Sequence, residues 1–324
     1  MSRGSAACDS LSGREERLTS GFTRRIAATT GVAVALTAVA APARAQSGLE
    51  SVIEQFSGAT IQGYIQPLAD ALVGNLSVGY VNSTPMGRKF SFSLELVGMT
   101  ASISESMRLY TAATPNGFQP ATVEAPTIFG GPATTVDHST IPGLSYRPSD
   151  GLVDAEYFPT AGPQVRLGGL FGTELVIRYA SSAMVPMIEE EDFPDLSIFG
   201  IGLQHSLSQY IKGLPVDLSI GGSLNTLEFG DIVELRTTSF GVNVGKSFGV
   251  LGVSGGLQSD GGTMNLTYTS TDPNAPGSVD VDVETERAMR FRAGASFSLA
   301  FFRLFADAAF GDVTSYAAGL RFGF

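Results

Sequence analysis

Several residue types are scarce or missing in this 324-residue chain, and each scarcity excludes a class of protein. The one cysteine is Cys8, so residues 46–324 contain no thiol for a disulfide or a thiolate metal site. Two histidines, His138 and His205, leave little for zinc or for imidazole catalysis. Tryptophan is absent, and past residue 45 the only lysines are Lys89, Lys212 and Lys246, too few for an ordinary solubilising surface. Positive charge is short overall, with 20 basic against 31 acidic residues, so the basic footprint that nucleic acid requires is missing. Past residue 45 no stretch reaches the ~18 consecutive apolar residues of a membrane helix. Charged residues make up 16% and hydrophobic residues 43%, the reverse of a disordered chain.

The N-terminus has its own pattern. Arg24-Arg25 precede an uncharged apolar run, Ile26–Ala41, and then Ala43-Arg44-Ala45. A basic region, a short apolar region and an A-x-A site make a secretory signal peptide over residues 1–45, cleaved after Ala45. Taking its six Arg and three acids from the totals leaves 14 basic and 28 acidic residues, a net charge of −14.

What recurs along the rest is a period of two. Tyr316, Ala318, Leu320, Phe322 and Phe324 alternate with Ser315, Ala317, Gly319, Arg321 and Gly323. The same alternation runs through Arg290–Leu299, Val216–Asn225, Lys89–Leu96, Ser239–Gly245 and Phe302–Phe310. Each stretch has one face of Phe, Leu and Val and an opposite face of Gly, Ser and scattered charge. A soluble sandwich would turn the apolar faces inward and put Lys and Glu outside. A transmembrane barrel turns them to lipid, keeps small and polar residues in the lumen, and often ends on an aromatic residue, as at Phe324. The second pattern fits. In hydrocarbon every backbone polar group needs a partner within the protein, so such a sheet must close.

The expectation is an all-β, closed antiparallel transmembrane barrel of about twelve strands, with 10–14 tolerable, given ~9–11 residues per strand. The strands fall near 74–83, 88–98, 100–110, 163–169, 172–182, 196–209, 214–228, 233–248, 251–271, 280–299, 301–311 and 313–324. Residues 46–73 form a short helical segment, with Leu49, Val52, Ile53 and Phe56 on one helix face and Ile61, Ile65, Leu68, Leu72 and Val73 on another. It is read either as a plug in the lumen or as a periplasmic or interfacial cap. Residues 74–324 are the barrel. A long loop near 111–162 is interrupted by prolines that work against ladder pairing, and Ser181–Pro194 and Thr271–Ser278 are shorter loops. Two interfacial girdles are expected from Tyr80, Tyr179, Phe240, Phe248, Phe291, Phe297, Phe301, Phe302, Tyr316, Phe322 and Phe324.

Candidate chemistry is sparse. Arg290, Arg292, Arg303, Asp307 and Arg321 fall on lumen faces, because an Arg facing lipid costs ~2–4 kcal/mol at midplane. They read as a strip guiding an anionic solute or, preferably, as an ion-pair ladder with Asp307 and Glu286 that stiffens the lumen. Asp280, Asp282, Glu284 and Glu286 alternate with Val281, Val283 and Thr285, a solvated rim or a weak site for cations or lipopolysaccharide. Glu189–Asp192 is read the same way. Gly252–Gly256 fits G-x-S-x-G but no helix follows it, so the match is chance. His205, with Ser206 and Ser208 beside it, is the raw material for a hydrolase at the lipid boundary, and reads as a strand-end residue. No metal, cofactor or enzymatic activity is expected.

Ile61–Phe92, with Tyr64, Pro67, Gly79, Tyr80, Asn82 and Phe90, resembles an uncharacterised family of bacterial outer-membrane barrel proteins with an N-terminal helical segment. Gly200–Asp217, reading GIGLQHSLSQYIKGLPVD, is similar to it as well. The resemblance implies a barrel without an established activity, distantly like the long-chain fatty acid transporter type though lacking its specific motifs. The expected function is therefore an outer-membrane barrel acting as a passive channel or diffusion transporter for a small or amphipathic solute. The alternatives are a structural or surface-contact barrel with a packed lumen and, last, a hydrolase. Expected partners are outer-membrane lipid and lipopolysaccharide, the barrel assembly machinery through the strand ending at Phe324, and an unidentified solute.

Overall fold

The computed structural model describes residues 58–81, 86, 89–184, 195–211, 213–269 and 278–323. The signal-peptide reading, the helix face at Leu49–Phe56, the acid run Glu189–Asp192 and the terminal Phe324 lie outside the described residues. Among the described residues one α-helix, α1 (Gly58–Leu76), precedes β1 (Ser91–Ser102). Two small hairpins follow, β2 (Leu109–Ala113) with β3 (Thr122–Pro126) and β4 (Val136–Asp137) with β5 (Ser145–Tyr146). Nine long strands then run in sequence: β6 (Tyr157–Leu170), β7 (Thr173–Ser181), β8 (Leu196–Ser206), β9 (Asp217–Phe229), β10 (Val233–Phe248), β11 (Leu251–Thr269), β12 (Ser278–Leu299), β13 (Phe302–Phe310) and β14 (Ser315–Gly323). With β1 they close one antiparallel barrel, β14 and β6 pairing the two edges of β1.

The wall therefore has ten strands, not about twelve. Two expected strands are absent, and both had the right alternation. The expected strand at 74–83 carries Leu76, Val78 and Tyr80 at every second place, yet its described residues, 74–81, begin as the end of α1 and continue inside the barrel, with 74–80 all buried. Residues 100–110 lose the sheet at Ser102 and turn through a 3-10 turn at Glu105–Met107. Prolines fail as a boundary signal in β6. Pro159 and Pro163 pair with Thr100 and Leu96 of β1, while the ladder to β7 starts only at Gln164–Arg178. The missing N–H groups thus fall where no ladder bond is made.

The two ends differ. At one, the connections are long, with residues 103–156 between β1 and β6 and residues 182–195 between β7 and β8. At the other, residues 207–216 join β8 to β9 but the remaining three connections are of two residues, as at Phe171-Gly172, where both φ angles are positive (53° and 71°) and the turn matches the strand twist. Outward faces are apolar and bare: Leu94, Leu203, Leu224, Phe240, Phe291 and Phe322 are all exposed.

One bulge changes the phase of the wall. Asp260 pairs with Ala288, but Gly262 pairs with Thr285, so β12 carries an extra residue there. Before the bulge Arg290 and Arg292 point inward. Beyond it Val281 and Val283 do, and Asp280, Asp282, Glu284 and Glu286 face out. A one-residue slip moves a whole side-chain set to the other face.

Candidate functional site

The lumen is filled in two tiers. At the long-loop end, α1 lies inside the wall with Ile61, Ile65, Leu72, Val73 and Leu76 buried. They pack against inward Leu227, Leu235, Met264, Leu266 and Val283. The expected polar lumen is thus wrong for this half, and the reason is simple. A helix satisfies its own backbone hydrogen bonds, so an apolar wall suits it. Each such side chain contributes about 1.5–3 kcal/mol when fully buried. The connection between β1 and β6 folds over the helix: Ile128 N–H donates to Tyr64 O (3.1 Å), and the Tyr110 ring lies where a Cβ on Gly63 would sit 2.6 Å from it. Burial pushes the Tyr110 hydroxyl up to about 12.

Below the helix the chain leaves regular structure and bends through Ser77 to Val81, with Gly79 at a φ of 83°, and this strap has no sheet partner. Its carbonyls would be orphans in a buried place, at a cost of about 1–3 kcal/mol each. The wall supplies a donor to almost every one. Arg290 donates to Gly74 O (3.2 Å), Arg178 to Leu76 O (3.2 Å) and Val78 O (2.9 Å), and Gln258 to Ser77 O (3.2 Å). Gln164 donates to Gly79 O (3.1 Å), Arg166 to Tyr80 O (2.9 Å) and Arg292 to Val81 O (2.8 Å). Arginines at the last turn of α1 also face the negative end of its dipole. Asn75, fully buried in that turn, is fixed to β6 by a bond to Phe158 O and another from Thr160 Oγ1, both 2.6 Å.

Tyr80 is the bolt. Its hydroxyl bonds Asn225, the Arg178 guanidinium lies 4.1 Å from its ring centre, and the ring covers Gly200 and Gly202 on β8. A Cβ on either glycine would overlap the ring or its hydroxyl, so β8 carries glycine at both inward positions. This corrects the girdle assignment: Tyr80 faces the lumen and not the boundary.

Charges on the wall are paired among themselves. Glu95 binds Arg166 (2.8 Å) and Arg321, and Arg166 also reaches Glu174 (3.2 Å). Arg290 pairs with Asp260, and Arg292 with Asp307. The ladder therefore exists with different rungs. Glu286 is exposed outside the barrel, and its expected place is taken by Asp260 and Glu95. Arg303 is half-buried and bonds Ser298 Oγ (2.7 Å). Arg178 differs from the paired arginines: carbonyls, the Gln164 amide oxygen and the Tyr80 ring surround it, with no carboxylate ion pair among the described residues.

Elsewhere the expected sites are thin. Asp280 and Asp282 are exposed and both accept from Asn265 (2.9 and 3.0 Å), and among the described residues no cluster has the make-up of a metal site. His205 faces outward at the short-turn end. Its Nδ1 lies 2.8 Å from Thr173 Oγ1, whereas Ser206 is buried inward and Ser208 bonds the backbone of Leu218. The residues that sequence reasoning missed are Glu95, Gln164, Arg166, Arg178 and Tyr80. All but Tyr80 carried the signal that found Arg290, being polar places within an alternating strand.

Known proteins add little to this geometry. No curated protein matches the chain. Solved structures that resemble it include the N-terminal barrel domain of Pseudomonas aeruginosa OprF (11% identity, 74% of this chain and 99% of that one, TM-score 0.22). Others are the outer membrane protein OmpT of Vibrio cholerae (10%, 73% and 98%, 0.25) and the Ralstonia pickettii toluene transporter TbuX (11%, 74% and 89%, 0.22). TM-scores this low carry no argument. A family model matches residues 24–324, nearly the whole chain, and this protein belongs to that family, the Family of unknown function (DUF6588).

Proposed function

We propose that this chain is a closed β-barrel of the bacterial outer membrane whose lumen is shut by its own α1 and strap, and which acts through its surfaces. The membrane half of the reading rests on the outer wall. From Phe291 to Leu299 the outward residues are Phe, Ala, Ala, Phe and Leu; those nine residues, at ~3.4 Å each and a tilt of ~40°, cover a little over 20 Å of the ~25 Å apolar band such barrels expose. Export by the 1–45 signal, with a mature N-terminus at Gln46, belongs to the same proposal. The long-loop end would then face outside, so the cap formed by residues 103–156 is the surface offered to lipopolysaccharide or a partner.

One observation carries the closed lumen: seven carbonyls from Gly74 to Val81 each hold a donor from the wall. Passive diffusion through such a lumen has no path past the strap. Purified barrel reconstituted in planar bilayers should give no steady conductance, and its liposomes no solute-dependent swelling. Steady conductance in the intact chain would refute the closed reading. Dispersal of the folded chain in detergent-free buffer would refute the membrane one.

A second reading is favoured by Arg178. A buried cation held by carbonyls that another ligand could replace suits a conditional pathway, opened when the strap withdraws.

A further inference from the structure

The outer wall carries a polar cluster inside its apolar band. Thr173 on β7 and His205 on β8 pair across the ladder at the short-turn end. His205 Nδ1 lies 2.8 Å from Thr173 Oγ1, and its Nε2 lies 3.1 Å from both the Tyr210 hydroxyl and the Gln209 amide nitrogen. Gln209 also donates to Phe171 O (2.9 Å), which fixes that amide nitrogen as the group facing Nε2. Nε2 is then the acceptor, Nδ1–H donates to Thr173, and the Thr173 hydroxyl proton is left for an outside acceptor. The cluster contains no carboxylate. It is bordered by apolar side chains that stand clear of the protein, Phe171 (89% exposed) and Tyr210 (69%) foremost.

A groove leads away from this cluster. The next row across the wall is Leu175, Leu203, Gly222, Phe240, Ser259 and Met289, paired strand to strand from β7 to β12. Gly222 and Ser259 leave dents between larger neighbours, and the outer face there holds an open groove of about 850 Å³ with almost wholly apolar walls. Strand tilt makes the row oblique, so the groove climbs from His205 at the short-turn mouth to Met289 near the far edge.

We propose that this groove holds one glycerophospholipid, with one acyl chain over Gly222 and the phosphodiester accepting from the Thr173 and Tyr210 hydroxyls, the His205 imidazole orienting Thr173 through Nδ1–H. The inference rests on the membrane reading above. With His205 Nδ1–H and Gln209 N–H spent inside the cluster, the Thr173 and Tyr210 hydroxyl protons are the ones turned outward, which suits an acceptor-only anion, and their height at the edge of an apolar groove places that anion on a lipid. The short-turn end is the periplasmic side, where the leaflet is phospholipid.

The test uses the full barrel in octyl glucoside with added palmitoyl-oleoyl phosphatidylglycerol, read by native mass spectrometry and by the imidazole Cε1–H resonance of His205. Wild type should retain one lipid at least about tenfold more strongly than Thr173→Val/His205→Phe, and the resonance should shift on addition. Ser259→Leu, which fills the groove and spares the cluster, should also weaken retention. Equal retention by wild type and the double variant overturns the proposal. So does retention of diacylglycerol, which lacks the phosphate, at the same strength, or displacement by inorganic phosphate. Heat-modifiable migration checks that each variant is folded. Folding without detergent would instead remove the membrane reading, a separate result.

Discussion

Arg178→Leu tests the strap most directly. The substitution removes the donors to Leu76 O and Val78 O and the cation over the Tyr80 ring. Two buried carbonyls without donors cost about 2–6 kcal/mol together, and the lost ring contact about 2 more at most. Part of this returns, because the wall no longer desolvates a guanidinium. A net of about 3 kcal/mol in favour of a withdrawn strap multiplies its population by roughly a hundred. The assay is single-channel recording: openings absent or rare in wild type should lengthen or multiply by about two decades. Arg303→Leu is the control, since Arg303 lies on the same wall but bonds Ser298 and not the strap. If Arg178→Leu stays as silent and as heat-resistant as wild type, the strap is not held by that arginine. If Arg303→Leu opens the barrel equally, the effect belongs to the wall at large.

Three further outcomes follow from the same geometry. Gly200→Ala should give the Arg178→Leu signature with no change of charge, because the new Cβ overlaps the Tyr80 hydroxyl and Asn225; unchanged melting and conductance would unseat Tyr80 from β8. Glu95→Ala takes one carboxylate from both Arg166, which keeps Glu174, and Arg321, and should cost about 3–5 kcal/mol in denaturant unfolding, more than Arg321→Ala, which leaves Glu95 with Arg166; equal costs would contradict the shared carboxylate. Asp70 on α1 has its carboxyl raised, first by burial and then by Asp312 and Glu286 nearby. With the folded value above the unfolded ~3.9, its contribution to stability is full below that pH and is lost as pH rises through the raised value. Asp70→Asn should therefore flatten the fall in melting temperature on that rise, and a variant that keeps the fall would assign it to another group.

The period of two made most of the wall legible. It located β1 and the eight strands from β7 to β14 to within about four residues and began β6 six residues late, and it placed the inward arginines Arg290, Arg292 and Arg321. Where it failed, something local had the same period or broke it. The strap alternates Leu76, Val78 and Tyr80 like a wall strand, but it is surrounded, and alternation cannot tell a strand facing two media from one enclosed in a lumen. The bulge beside Asp260 shifted the phase, so the acids at 280–286 kept their spacing and changed sides. Arg178 sits between outward Ile177 and Tyr179 as an inward charge, and alternation gives its face but not the carbonyls it meets there. Tyr80 looks like a girdle residue in the sequence because a sequence gives the type of an aromatic side chain and not the glycines it lies on.

The gradient in the lumen follows from size as much as from polarity. Ten strands spaced ~4.8 Å and tilted ~40° close on a backbone radius of about 10 Å. A helix with its side chains takes about 5–6 Å of that radius, leaving a ring that Leu, Val, Met and Ala fill, as Leu235, Met264 and Val283 do around α1. A single non-helical strap is thinner, so the wall around it must reach further, and Arg, Gln and Glu are the long side chains available. Those same side chains are the donors and acceptors that an unpaired backbone requires. Thinness and hydrogen-bond hunger thus select one residue class at one level. The arginines at 166, 178, 290 and 292 therefore need no solute to explain them. A transport role would require evidence that these donors prefer some other acceptor to the carbonyls they already hold.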